Sequence, residues 1–400
     1  MLSILLSLGH IDTLMWCEFG IIGILALGTL ALHIGGTRAH RSELSVTIMG
    51  LIAIVAAVMT DNLAVLSLAF ALALIAASCL ALHAERAANA KARLTIMVVC
   101  GFAAVLYVIG AYLFMKLQTD VGIGSWQALS FSGVISVERM SGVLAQYALS
   151  IVGIATLASC WLWIRKSRFS SFVAGAAPMV FIIAFLRLKL VVDRVLADSG
   201  AWTNTIFLVA GVVLVAAVAA KMMFKTHAHV IKCSGVEHIG IAVFMIGAGF
   251  AGIIPAILHL GGQAVAQSGL WHAAQDTEII RTNKTLKVLC IALYAATLGA
   301  PFSVLFVSQL IGIGYALQSH LVLGLIVFAL VGVLSIIMVR EALHFSYDVQ
   351  PNAEPMTKHQ KVLTVVLAMH VLLLFGVGGY MLTQQGIQFA VSVAQNVAAL

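Results

Sequence analysis

Charge is scarce in this sequence. Asp, Glu, Lys and Arg together make up 9% of its 400 residues, hydrophobic residues make up 62%, and the mean hydropathy is +1.09. A water-soluble domain needs much more polar surface than this composition supplies. The composition therefore excludes a soluble globular protein and predicts a chain whose solvent is lipid. In that solvent each ionisable side chain at membrane depth needs a partner or a function.

Cofactor and metal motifs are also lacking. The six cysteines are scattered without a CxxC pair or another metal-ligand spacing, which is typical of small apolar core residues. No GxGxxG, P-loop, HExxH or GxSxG motif occurs in a usable context. We therefore expect no catalytic centre of its own, and no metal, flavin, quinone or haem bound by this chain alone.

Long apolar runs fill most of the chain instead. Each crossing of a bilayer needs roughly 20 apolar residues. We predict about thirteen transmembrane helices, at 17–34, 45–59, 62–83, 94–116, 142–164, 171–196, 203–224, 235–253, 254–273, 284–299, 301–318, 320–340 and 362–383. The runs are continuous rather than alternating, which indicates helices and not strands. The predicted fold class is all-α, a polytopic membrane helical bundle.

Basic residues concentrate in five connecting loops. These loops contain Arg38 and Arg41; Arg86, Lys91 and Arg93; Arg165, Lys166 and Arg168; Lys225 and Lys232; and Arg281, Lys284 and Lys287. With thirteen spans all five lie on one side, and the opposite loops at 117–141 and 197–202 are poorer in Lys and Arg. The positive-inside rule then predicts a multi-pass protein of the inner (cytoplasmic) membrane with its N-terminus outside. The net charge of +7 therefore indicates orientation and no nucleic-acid partner. No basic n-region opens the chain, so we expect no cleaved signal peptide.

Two prolines lie well inside apolar runs, Pro178 and Pro301. Proline removes a backbone donor and clashes one turn back, so we predict discontinuous helices near both positions. A pair of interrupted spans is typical of a transport site at the bilayer midplane. A plain kink without function is the alternative at each.

Three ionisable residues near the middle of the chain are candidates for a proton path: Glu237, His238 and His259. A carboxyl group and an imidazole can both take up and release protons. Glu237 and His238 are adjacent, so on a helix they point about 100° apart and do not face each other. An interfacial capping role is the alternative for this pair, and a hydrogen-bonded packing role is the alternative for His259.

A second candidate group follows Pro178 and contains Arg187, Lys189 and Asp193. Lys189 and Asp193 are spaced i,i+4 and can pair on one helix face. The alternative is that this segment is the outer end of its helix, with the charged groups snorkelling to water. Asp61 opens another span and is most simply an N-cap.

These residues resemble a known family. The stretch 226–270 is similar to the antiporter-like membrane subunits of respiratory complex I, Mrp antiporters and energy-converting [NiFe] hydrogenases, above all those of the hydrogenase and formate hydrogenlyase branch. The matching segments are Cys233 to Gly240, Ile257 to Leu260, Asp61-Asn62-Leu63, Leu186 to Lys189 with Asp193, and Gly299, Pro301, Phe306 and Ser308. The resemblance implies shortened N-terminal helices at 1–60, an antiporter-like transmembrane domain at 61–383 and a short amphipathic tail at 384–400.

The departures from the family pattern concern its ion-translocating residues. Positions that carry Glu, Lys, His or Asn in the family align with Ala71, Met179, Ala228, Gly262, Gln263, Gln267 and Gln309. Because the replacements cannot titrate, the resemblance implies a subunit that has lost most of its relay. We expect a structural, sealing or docking role beside other membrane subunits and lipid, with at most residual proton conduction. The alternative is a self-contained, proton-coupled secondary transporter that uses Glu237, His238 and His259.

Overall fold

Helices make up nearly all of the described chain, as its apolar runs require. The computed structural model describes residues 13–36, 41–60, 62–84, 90–119, 142–163, 170–195, 200–223, 227–347 and 356–399. The helices are α1 Thr13–Gly36, α2 Arg41–Met59, α3 Leu63–Ala84, α4 Ala90–Thr119, α5 Gly142–Trp163, α6 Ser170–Val195, α7 Gly200–Met222, α8 His227–Gly247, α9 Phe250–Gln275, α10 Thr277–Thr282, α11 Lys284–Thr297, α12 Val304–Ser319, α13 Leu321–Tyr347, α14 Lys358–Met381 and α15 Gln384–Ala399. Asp61, predicted to be an N-cap, lies outside the described residues.

Each predicted apolar run coincides with one of these helices, because lipid leaves the backbone no hydrogen-bond partners except its own. Seven of the described helices are long and apolar enough to cross a membrane, and five apolar stretches are shorter. The remaining elements are the six-residue α10, the fourteen-residue α11 and the amphipathic α15. The predicted all-α membrane bundle is confirmed.

Helices α6 and α9 lie at the centre of the bundle. Helix α9 packs against α6, α8, α12, α14 and α11, and α6 packs against α9, α5, α2 and α1. Arg187, Lys189 and Asp193 lie on α6 and His259 lies on α9, whereas Glu237 and His238 lie on the neighbouring helix α8.

Helix α6 corrects one prediction. It runs without interruption through Pro178, where we predicted a break. A proline removes a single backbone donor, and buried membrane helices tolerate it when neighbouring helices and small local adjustments hold the turn together. Residues Ala176 to Leu186 are all buried. The neighbouring helices pack around this segment, so α6 remains one continuous helix.

The break near Pro301 is confirmed. Helix α11 ends at Thr297 and α12 begins at Val304. In the connecting turn Gly299 and Phe302 have φ of 77° and 68°, in the left-handed region. The hydroxyl of Ser303 accepts a hydrogen bond from the Phe306 amide at 3.1 Å and caps the new helix.

Helices α11 and α12 together form one interrupted span. Gly269 of α9 faces Leu293 of α11, Gly262 faces Val304 and Leu305 of α12, and His259 contacts Ser308. Contacts taken from the C-terminal toward the N-terminal end of α9 therefore run forward along α11 and then along α12. Helices α11 and α12 thus point in the same direction, antiparallel to α9. Counting them as one crossing turns the thirteen predicted runs into twelve crossings among the described residues.

We expect that substitution of Gly299 will weaken this turn. A side chain at φ 77° costs about 1–2 kcal/mol in the left-handed region, and its Cβ would lie 2.6 Å from Gln309 Oε1. Gly299→Ala should lower the stability of the purified protein by about that amount in a thermal or denaturant titration. Gly314→Ala is the matched control, because it lies within α12 and a Cβ there meets open space. Equal stability of the two variants would contradict the assigned turn geometry.

Candidate functional site

Helices α8 and α9 form a tight antiparallel hairpin that positions the central histidines. The reversal occurs at Ala248 and Gly249, and Gly249 has φ 91°. Gly252 lies so close to the Met245 carbonyl that a Cβ would not fit. This close approach brings His238 opposite His259, although 21 positions separate them in the sequence.

His238, His259 and Ser308 form a buried hydrogen-bonded chain, here called the histidine network. His238 Nδ1 lies 3.1 Å from His259 Nε2, and His259 Nδ1 lies 2.8 Å from Ser308 Oγ. All three side chains are at most 1% exposed. Two of the predicted site residues are thus brought together, and α12 supplies a third that the sequence analysis did not single out for chemistry.

Both ends of the histidine network meet backbone groups of the interrupted span. Ser308 Oγ lies 2.9 Å from the Leu305 carbonyl, to which it can donate. At the other end the His238 ring faces the backbone of Thr297, the last residue of α11, and its Nε2 makes no hydrogen bond of ordinary geometry within the described chain. When Ser308 donates to Leu305, His259 Nδ1–H donates to Ser308 Oγ and His238 Nδ1–H donates to His259 Nε2. In this order the network ends at the Leu305 carbonyl, which has no titratable proton to pass on.

Glu237 does not join this network. It is buried, but its carboxyl group makes no hydrogen bond or ion pair with a described residue. As predicted for neighbours on a helix, it points away from His238.

Polar side chains continue from His259 toward the C-terminal end of α9. Gln263 and Gln267 follow at i+4 and i+8, and Gln267 Nε2 donates to the Ile231 carbonyl at 3.1 Å. The rings of His272 and His370 then meet at 5.9 Å, and His370 Nδ1 lies 2.7 Å from the Val366 carbonyl, to which it can donate. The sequence analysis missed His272 and His370, although a lone histidine in an apolar run was the available signal.

The segments of α8 and α9 on the other side of the histidines are apolar. Residues 239–247 of α8 and 250–258 of α9 contain no titratable side chain. The eight helical steps between the first and last residue of each segment make an apolar layer about 12 Å deep. Met179 and Ala71, which align with relay positions of the resembled family, add no titratable group, and Met179 is fully packed.

The three candidate residues of α6 are engaged in ion pairs. Lys189 pairs with Asp193, as the i,i+4 spacing predicted. Arg187 Nη2 lies 3.3 Å from Glu18 Oε2 of α1, with 12% and 3% of the side chains exposed. Lys189 is only 4% exposed, so it does not snorkel freely into water. Glu18 is a buried acid that the sequence analysis missed, although it was visible as a single carboxylate in an apolar run.

Among the residues that the structure describes, no three His, Cys, Asp or Glu side chains are grouped as a metal site requires. The geometry at the centre provides hydrogen bonds between two imidazoles and a hydroxyl.

No known family model matches this sequence, and no curated protein matches it either. Solved structures do match its fold. A chain of respiratory complex I from Thermus thermophilus with bound NADH has a TM-score of 0.78 at 13% identity, over 97% of this chain and 85% of that one. A chain of the Mrp complex from Dietzia sp. DQ12-45-1b has a TM-score of 0.70 at 13% identity, over 97% and 83%.

A third similar chain belongs to the membrane-bound sulfane sulfur reductase, an archaeal respiratory membrane complex. It has a TM-score of 0.82 at 12% identity, over 98% of this chain and 82% of that one. At these identities the likeness concerns the fold. The protein therefore has the multi-pass membrane fold shared by subunits of complex I, Mrp and the sulfane sulfur reductase, and the sequence resemblance to antiporter-like subunits is confirmed as a likeness of fold.

Proposed function

We propose that this chain is a membrane subunit of a multi-subunit complex related to complex I or to membrane hydrogenases, in which it seals and supports the membrane arm with at most residual proton conduction. The observation that carries the proposal is the histidine network, which joins α8, α9 and α12 and ends on the Leu305 carbonyl. It gives buried polar side chains of three helices partners inside the protein, where lipid offers none.

The apolar layer beyond His259 supports the sealing role. A proton path needs titratable groups or water at hopping distance, and an apolar layer about 12 Å deep on α8 and α9 opposes ion passage. On α6, residues 180–186 are apolar as well. Beyond them Arg187 holds Glu18 as an ion pair, and an arginine does not release its proton at physiological pH.

The proposed orientation in the inner membrane has the N-terminus outside. His359 at the start of α14 lies 3.1 Å from Asp276 at the end of α9, so both helix ends lie at the same side. The α9–α11 connection contains Arg281, the first turn of α11 contains Lys284 and Lys287, and Lys358 and Lys361 begin α14. Because α11 and α12 are one crossing, these basic groups share a side, which the positive-inside rule assigns to the cytoplasm.

The test measures proton flux and stability together. We expect Glu237→Gln and His259→Gln to leave proton coupling of the purified complex in vesicles unchanged, because neither residue lies on a continuous path. His259→Ala should lower the free energy of unfolding by about 1–3 kcal/mol, since it leaves buried polar groups unpaired. Assembly of each variant is checked by subunit stoichiometry.

Two results would contradict the proposal. One is loss of coupling in Glu237→Gln or His259→Gln complexes that assemble normally. The other is proton flux through the isolated chain in vesicles that disappears in His259→Gln, which would favour a self-contained transporter. Copurification with other membrane subunits and proton-tight vesicles of the isolated chain are the expected results.

A further inference from the structure

An apolar groove lies between the first helix, the central helix and the C-terminal helices. Its volume is about 380 Å³. Helix α1 contributes Cys17, Gly20, Ile21 and Ile24, and α9, α12, α14 and α15 form the remaining walls. Gly20, Cys17 and Tyr380 on its rim are exposed, so the groove opens to the surroundings of the protein.

Water is a poor occupant of this groove. A buried water needs two to four polar partners, and the walls are built almost wholly from apolar side chains. An apolar cavity of about 150 Å³ stays dry and binds a hydrocarbon such as benzene. The groove is more than twice that size and lies along helices that cross the membrane, where the solvent is hydrocarbon.

A helix of another protein can lie across the mouth of this groove but does not fit inside it. One turn of α-helix, about 10 Å wide and 5.4 Å long, fills about 400 Å³ even without the rest of its length. The groove therefore accepts less than a single turn. A hydrocarbon chain is narrow enough to lie along the groove and contact α1, α9 and α14 at once.

We propose that this groove is a binding site for one acyl chain of a membrane phospholipid. The chain would pack between Ile21 of α1, Leu258 of α9 and Phe389 of α15, and would hold α1 and α15 against the central helix by dispersion contacts. This role is independent of proton transfer and of the partner subunits.

The test uses a photoreactive phospholipid with a diazirine on its acyl chain, incorporated into nanodiscs with the purified protein in its native complex. Peptides that contain residues 17–24 and 387–393 should be labelled. In Gly20→Phe the new side chain fills the groove, because a Cβ at that position meets nothing within 4 Å. We expect the labelling of both peptides to fall to the level of lipid-facing helices elsewhere in the chain.

Gly23→Phe is the matched control. Gly23 lies one turn further along α1, a Cβ there also meets open space, and it does not line the groove. Its groove peptides should be labelled as in the wild type. Undiminished labelling in Gly20→Phe would overturn the proposal. So would absence of groove labelling in the wild type, as expected if a segment of the chain itself occupies the site.

Discussion

Glu18→Ala is expected to destabilise the protein by about 3 kcal/mol, because it removes a carboxylate partner of an arginine that is largely buried. Glu18 of α1 and Arg187 of α6 are 3.3 Å apart and nearly excluded from solvent. Arg187 cannot become neutral when its partner is lost. Chemical denaturation of the purified complex in detergent measures the change.

A double variant makes this prediction specific. Glu18→Leu combined with Arg187→Leu removes both charges, and replacing a buried ion pair by apolar residues is often close to neutral. The double variant should therefore recover most of the stability that Glu18→Ala loses. Arg187 also reaches the Val58 carbonyl at 3.5 Å, so part of the loss will remain. A Glu18→Ala protein within about 0.5 kcal/mol of the wild type would show that the pair does not hold α1 to the core.

Gly175→Leu is the second substitution with a large expected effect. A Cβ at this position of α6 would lie 2.5 Å from the backbone oxygen of Ala264 in α9. Backbone cannot rotate away as a side chain can, so the two central helices must separate. We expect a loss at the upper end of the 1–3 kcal/mol range that is typical of overpacking, about 3 kcal/mol.

The separation of α6 and α9 at Gly175 should also shift the histidine network, because His259 is little more than one turn from Ala264 on α9. Gly101→Leu in α4 provides the control, since a Cβ there meets nothing within 4 Å. Thermal unfolding of both variants compares the two positions, and a stable Gly175→Leu protein would mean that α6 and α9 are further apart than described.

The helices themselves followed from the sequence. Apolar runs as long as the bilayer is thick must become helices, and the predicted boundaries lie within a few residues of most observed ends. Lys189 and Asp193 also followed from local spacing, because four residues along a helix bring two side chains to one face. Pro178 shows the limit of local reasoning. The sequence predicts a break there, but packing of the buried α6 keeps the helix continuous.

The candidate site could be predicted only in part. His238 and His259 were singled out as ionisable residues in apolar runs, but no spacing rule relates residues on two different helices to each other. Glu18 and His370 were missed, and Ser308 was given no chemical role, because each acquires its partner from a helix distant in the sequence.

The sequence by itself determined that this is a multi-pass membrane protein and that its membrane spans are helices. Only the tertiary structure decided that α11 and α12 are one crossing, since their shared direction is visible only along α9. It also decided that the histidine network joins three helices and ends at the Leu305 carbonyl. The physical reason is that hydropathy is a property of each segment, whereas a hydrogen-bonded path depends on the distances between segments, which packing alone fixes.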